Sequence, residues 1–133
     1  MEALSTAIVT AAGSGTRMGS EIKKQYLPLG GIPIMIRTLQ TFFASEVIDS
    51  IIVTAPEDDV SYCEDMIRQY FDDSDKPWLV IAGGAERQDS VFAALQQCPP
   101  SVQYVFIHDA VRPFISEELL LELYEIVQRD KAV

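Results

Sequence analysis

Leu4-Ser5-Thr6-Ala7-Ile8-Val9-Thr10 runs without a break into Ala11-Ala12-Gly13-Ser14-Gly15-Thr16-Arg17-Met18-Gly19, and the rest of the chain is read from this junction. The first seven residues are nearly continuous in apolar character, as a strand covered on both faces should be. The glycine-rich turn that follows offers backbone N–H groups to an anion. A strand delivering its chain into such a turn is the opening of an α/β fold.

The turn can be tested against known phosphate motifs. No Gly-Lys-Ser/Thr follows, so it is not a P-loop. Gly13 and Gly15 supply a G-x-G, but Met18 stands where the third glycine of a dinucleotide fingerprint belongs. Pro28, Gly30 and Gly31 also interrupt the helix that should start at once. A dinucleotide-dependent oxidoreductase is therefore disfavoured. What remains is an anion cradle followed by Arg17 and Lys24; a plain strand-to-helix turn with surface cations fits the glycines equally well.

Outward from this point, further strand-like runs cover about Ile48–Ala55, Trp78–Ala82 and Gln103–His108. Helical stripes alternate with them. One is Ile32, Ile36, Leu39 and Phe43; a second is Val60, Cys63, Ile67 and Tyr70; a third is Val91, Ala94 and Leu95. Leu119, Leu120, Leu123, Ile126 and Val127 form a fourth, with Ser116 as N-cap and Glu117 and Glu118 suited to the positive helix end. Alternating β and α elements predict crossover connections and a Rossmann-like, mostly parallel sheet. At 133 residues, 48% of them hydrophobic and 23% charged, the chain is expected to fold as one compact unit without a linker.

The net charge of −10 argues against a nucleic-acid binder. Its distribution is uneven. Residues 1–43 hold four basic and two acidic side chains, a balance of +2, and the remainder holds six and eighteen, a balance of −12. A local cationic cluster after the glycine turn suits a small polyphosphate ligand. Cys63 and Cys98 have no C-x-x-C spacing, so two reduced, buried thiols are expected rather than a zinc site or a disulfide. The first strand begins too early for a signal peptide, and no apolar run reaches the roughly 18 residues of a membrane span. A cytoplasmic protein is expected.

In a parallel sheet, ligands bind beyond the carboxyl ends of the strands. Three of the four ends carry small or polar residues: the glycine turn, Gly83-Gly84-Ala85-Glu86-Arg87-Gln88-Asp89-Ser90, and Asp109-Ala110-Val111-Arg112-Pro113. The second strand ends in Pro56 and a run of acids that carries no catalytic pattern. A-A-G-x-G-x-R-M followed by Lys24-Gln25-Tyr26-Leu27 resembles the sugar- and alditol-phosphate nucleotidyltransferases. G-G-x-x-R-x-D-S-V and H-D-A-x-R-P, in that order, narrow the resemblance to the 2-C-methyl-D-erythritol 4-phosphate cytidylyltransferase family, with the ribitol-5-phosphate cytidylyltransferases as a close alternative.

The resemblance implies a sheet of the nucleotide-diphospho-sugar transferase type. The implied reaction is transfer of CMP from CTP to a sugar-alcohol phosphate, with release of pyrophosphate. It further implies Mg²⁺ as cofactor, held by Asp109, and Arg17 and Lys24 as the catalytic cations. Ala11, Ala12, Gly13, Ser14, Gly15, Gly84, Arg87, Ser90, Asp109 and Ala110 would bind the nucleotide. In detail, Ala11, Gly84 and Ser90 would read the cytosine edge, Ala110 and the Asp109 region would meet the ribose, and Arg87 would brace the base loop. Arg112 is read as a supporting residue, and His108 as a buried strand-end histidine turned away by the pleat. Plainer readings exist for three of these: a surface lysine at Lys24, a loop cap at Asp109, and a helix N-cap at Ser90. Thr10 departs from the proline common in the family. Family members also continue well beyond this length, so acceptor contacts and the arm of the implied homodimer are not expected here. A non-catalytic CTP-binding fragment is the competing reading.

Overall fold

The computed structural model describes residues 4–12 and 23–130. Gly13, Ser14, Gly15 and Arg17 lie outside the described residues. Strand β1 (Leu4–Thr10) leads to a 3-10 turn (Lys24–Tyr26) and a short antiparallel hairpin, β2 (Pro28–Leu29) and β3 (Ile32–Pro33). Gly30 and Gly31 form the hairpin's two-residue loop with φ of 65° and 84°, a left-handed pair that glycine adopts without strain. Then come α1 (Ile34–Ala44), β4 (Ser50–Ala55), a 3-10 turn (Glu57–Asp59), α2 (Val60–Phe71), β5 (Trp78–Ala82), α3 (Arg87–Gln96), β6 (Val102–Asp109) and α4 (Glu117–Asp130).

The long strands form one parallel sheet in the order β5-β4-β1-β6. The chain steps from β1 to β4 to β5 on one side, then returns across the sheet to β6. The crossovers therefore diverge between β1 and β6, which opens a crevice beyond their carboxyl ends. The register brings Thr10 level with Thr54 on one side and Asp109 on the other, and Ala55 level with Ala82.

Alternation along β1 divides the core in two. Ala7, Val9 and Ala11 face α1, α2 and α4, where Met35, Ile36, Leu39, Phe42, Cys63, Ile67 and Leu120 are buried. Ile8 and Ile52 face the other way, onto Ala94 of α3. That second face is thinly covered among the described residues: Leu79 of β5 and Ile107 of β6 remain 40% and 45% exposed. Continuous apolar character therefore described double coverage correctly for β1 and β4 but not for the flanking strands.

Several side chains depart from the expected stripes. Ile32 belongs to β3, and the helix beginning after Pro33 buries Met35, Leu39 and Phe42 one turn apart, so Phe42 and not Phe43 enters the core. Phe43 instead stacks on Phe71, with ring centroids 4.0 Å apart. In α2, Met66 is buried and Tyr70 is exposed. In α3, Leu95 and Phe92 are exposed, while Ser90 is buried with Ala94. Leu119 of α4 is also exposed. Ser116 does cap α4, its Oγ accepting the Leu119 N–H at 3.1 Å. Both cysteines are free thiols; Cys63 is buried as expected, but Cys98 is only half-buried. Among the described residues no helix is long and apolar enough to cross a membrane.

Candidate functional site

The carboxyl ends of β1 and β6 and the loop after β5 enclose a cavity of about 170 Å³. Its walls are Thr10, Ala12, Gly84 to Arg87, Ser90 and Asp109. Its base is set by backbone hydrogen bonds along the strand ends. The Ala11 N–H donates to the Thr54 carbonyl (2.8 Å), the Gly83 N–H to Ala55 (2.8 Å), and the Ala110 N–H to Thr10 (3.0 Å). Two peptides after β1 and β5 are thus sewn to β4, and the start of the β6 loop to β1.

The loop after β5 is shaped by two glycines. A Cβ on Gly83 would overlap the Ala12 methyl and sit 2.5 Å from Ser90 Oγ, and one on Gly84 would overlap Asp89 Cβ. Only hydrogen fits, so the loop lies directly against Ala12 on one side and the first turn of α3 on the other. That first turn is capped reciprocally by Glu86 and Asp89, the Glu86 N–H donating to Asp89 Oδ2 at 3.1 Å. Ser90 is therefore not the N-cap. It lies a turn into α3, 2% exposed, and its Oγ accepts the Gly84 N–H at 3.0 Å while facing the Glu86 carbonyl at 3.4 Å. Arg87 opens α3 and is exposed.

Asp109 closes the cavity from the β6 side. Its Oδ1 accepts the Val111 N–H (3.1 Å), and its Oδ2 stands 3.9 Å from Arg112 Nε in a half-exposed pair. The pleat turns His108 to the opposite face, as expected, where its ring tilts against Phe42 with centroids 5.4 Å apart. His108 is half-buried rather than buried, and its Nε2 donates to the Arg112 carbonyl at 2.8 Å. Ala110 is wholly buried; its carbonyl accepts the Thr38 hydroxyl at 2.7 Å. Ala11 is likewise buried beneath the cavity, and its carbonyl accepts the Gln25 amide at 2.8 Å. Both alanines support the wall and do not line it. Among the described residues no three His, Cys, Asp or Glu side chains cluster to hold a metal ion. One half-exposed carboxylate suits Mg²⁺, which keeps most of its waters and is commonly held by one or two carboxylates plus phosphate oxygens.

Lys24 lies exposed in the 3-10 turn, whose neighbouring Gln25 is pinned to Ala11 at the end of β1. The acids after β4 contribute more than their sequence suggests. Asp59 Oδ2 accepts from both Lys23 Nζ and Tyr26 OH, each at 2.8 Å. Burial pushes the Asp59 carboxyl up, but the hydrogen bonds from Lys23 and Tyr26 and the lysine charge outweigh it and hold it below its ordinary value. Burial also pushes the Tyr26 phenol far up, helped by the Cys63 thiol 3.4 Å away and the Asp59 carboxylate. No local pattern marks Asp59, because its partners are 33 and 36 residues away. Thr10, Ala85 and Glu86 also line the cavity, although the motifs assign them no role. The E-x-x-D spacing of the capping box is the one signal that marks any of them.

A larger cavity of about 580 Å³ lies between β6 and α4, lined chiefly by apolar side chains including Phe42, Phe114 and Leu123. Its chemistry does not suit a polyanion.

The model of the 2-C-methyl-D-erythritol 4-phosphate cytidylyltransferase family (IspD) matches residues 5–133. This chain belongs to that family. A relative of that name from Geobacter metallireducens is 43% identical over 117 residues, covering 86% of this chain and 50% of the relative. One from Clostridium beijerinckii is 41% identical over 131 residues, covering 96% and 55%. The crystal structure of 4-diphosphocytidyl-2C-methyl-D-erythritol synthase from Anaerococcus prevotii superposes with a TM-score of 0.80 at 34% identity, covering 95% of this chain and 51% of that one. The chain spans about half the length of the curated relatives it matches. The family resemblance read from the three strand-end motifs and the Rossmann-like sheet both stand.

Proposed function

We propose that this chain forms the CTP-gripping half of an enzyme that transfers CMP from CTP to 2-C-methyl-D-erythritol 4-phosphate and releases pyrophosphate. The observation that carries the reading is the convergence of Ala12, Gly84, Ser90 and Asp109 on one cavity at the switch point of a family sheet. Nothing favours ribitol phosphate as the acceptor.

The nucleophile in such a transfer is already a phosphate oxygen, so no general base is needed. The barrier lies in bringing anions together and in the charge that builds at the α-phosphoryl group. Lys24, exposed beside the end of β1, would meet that charge, together with Arg17 and the Gly13–Gly15 amides. The Gly83–Gly84 loop, held against Ala12 and Ser90, would form a flat wall for the base, with Arg87 at its rim. Asp109 would hold Mg²⁺, which when bound screens the phosphate charges. Ala11 and Ala110 would act through the backbone they fix. The same reading includes the cytoplasm and a homodimer, both of which rest on the family alone.

Calorimetric titration with CTP and Mg²⁺ tests the reading. Saturable binding that prefers CTP over ATP is expected; binding of ATP in preference, or of neither, overturns it. Because the chain spans half of its relatives' length, it is expected to bind CTP more weakly than a longer relative and to turn over little. Pyrophosphate release at a relative's normal rate would favour a self-sufficient enzyme instead.

A further inference from the structure

The turn bearing Lys24 is held from both sides. Gln25, 3% exposed, donates its amide to the Ala11 carbonyl. Lys23 and Tyr26, which flank that pair of residues, both reach Asp59 at the start of α2. The Tyr26 N–H closes the turn on the Lys23 carbonyl at 3.0 Å, and its ring packs edge-on against Tyr62 with centroids 5.0 Å apart. Lys24 is the residue of this turn whose side chain is left exposed.

We propose that Asp59 is a positioning residue: by anchoring Lys23 and Tyr26 it fixes the turn that presents Lys24 to the phosphate tail of the nucleotide. This rests on the cytidylyltransferase reading above. The pair is well shielded, with the Lys23 and Asp59 side chains 22% and 20% exposed, so the contact is firmer than an ordinary surface ion pair. Losing the carboxylate would leave a shielded ammonium and a phenol without their common acceptor, and the turn would keep the Gln25 bond and the packing of the Tyr26 ring but lose the contact that ties Lys23.

The sign of the effect separates this role from simple charge proximity. Removing a negative charge near a polyanion site should tighten anion binding by relieving repulsion. Removing an anchor should weaken it, because Lys24 must then be ordered at the moment of binding. The test measures Mg²⁺-CTP and cytidine affinities for wild type, Asp59→Ala, Asp59→Asn and, as a charge control on the open face of α2, Asp65→Ala. Among the described residues Asp65 pairs with Arg68, and both are largely exposed.

The expected result is a loss of CTP affinity of about tenfold in Asp59→Ala, the scale of one lost charge-assisted contact. Cytidine affinity should be unchanged, and Asp65→Ala should match wild type with both ligands. Trypsin should cut after Lys23 and Lys24 faster in Asp59→Ala than in wild type. Asp59→Asn, which keeps an acceptor but not the charge, should fall between and covers the case in which the alanine variant fails to fold. Unchanged or tighter CTP binding, or an equal loss for cytidine, overturns the proposal alone while the function stands. A wild-type chain that binds no nucleotide overturns both.

Discussion

Replacing Gly83 by alanine tests the packing that shapes the candidate site. The added Cβ would overlap the Ala12 methyl and come within 2.5 Å of Ser90 Oγ. Ala12 Cβ is rigid with its backbone, which is tied to β4 through the preceding Ala11 N–H. Ser90 cannot swing clear without releasing the Gly84 N–H. Overpacking of this kind costs about 1–3 kcal/mol. The broken Ser90–Gly84 hydrogen bond adds about 1 kcal/mol. A destabilisation of about 2–4 kcal/mol is a large fraction of the total stability of a domain this size. At roughly 4 °C per kcal/mol for a chain of this length, the melting temperature should fall by roughly 8–16 °C. Thermal unfolding followed by circular dichroism gives the shift, and CTP titration below the transition should show weakened binding because the cavity wall has moved. A melting temperature within about 2 °C of wild type, with CTP affinity intact, would refute the close approach of the three segments.

Three further variants have expected outcomes. Lys24→Ala in a full-length relative carrying the same turn should lower turnover by roughly 10²–10³, the scale of one lost transition-state contact; near-normal turnover would make Lys24 a surface cation. Lys76 Nζ donates to the carbonyls of Phe42 (2.9 Å) and Ser45 (2.7 Å) at the end of α1, so Lys76→Met should cost about 1–3 kcal/mol in urea unfolding at neutral pH. Burial lowers the pKa of Lys76 against the opposing pull of Asp49 and Glu117. Wild type should therefore gain stability on Lys76→Met as pH rises from the lowered folded value toward 10.5, where the unfolded chain binds the extra proton. The Asp59 carboxyl is shifted the other way: its contribution is present above its ordinary value of 3.8 and is lost as pH falls through the lower folded value. The stability gap between wild type and Asp59→Asn should accordingly close in acid below about pH 4, and a gap that persists would show that the charge is not what matters.

The four long strands, and the motifs at the ends of three of them, are legible in the amino-acid order alone. β1 and β5 fall where continuous apolar runs place them, and Ser116 caps α4, because strand character and capping are decided by windows of a few residues. The three strand-end motifs carry the family in the same way. Which strands lie side by side is a different matter. The order β5-β4-β1-β6 brings Gly83 against Ala12 and leaves Asp109 facing the same cavity, and no local window encodes that order. It also decides which face of each helix is inner, which is why Phe42 displaces Phe43 and Ser90 becomes a brace for Gly84 rather than a cap. Asp59 is the sharpest case. Read along the chain it is one acid in a run of three. In the fold it is the common acceptor for Lys23 and Tyr26, since a contact across more than thirty residues exists only once the sheet has brought β1 and β4 together.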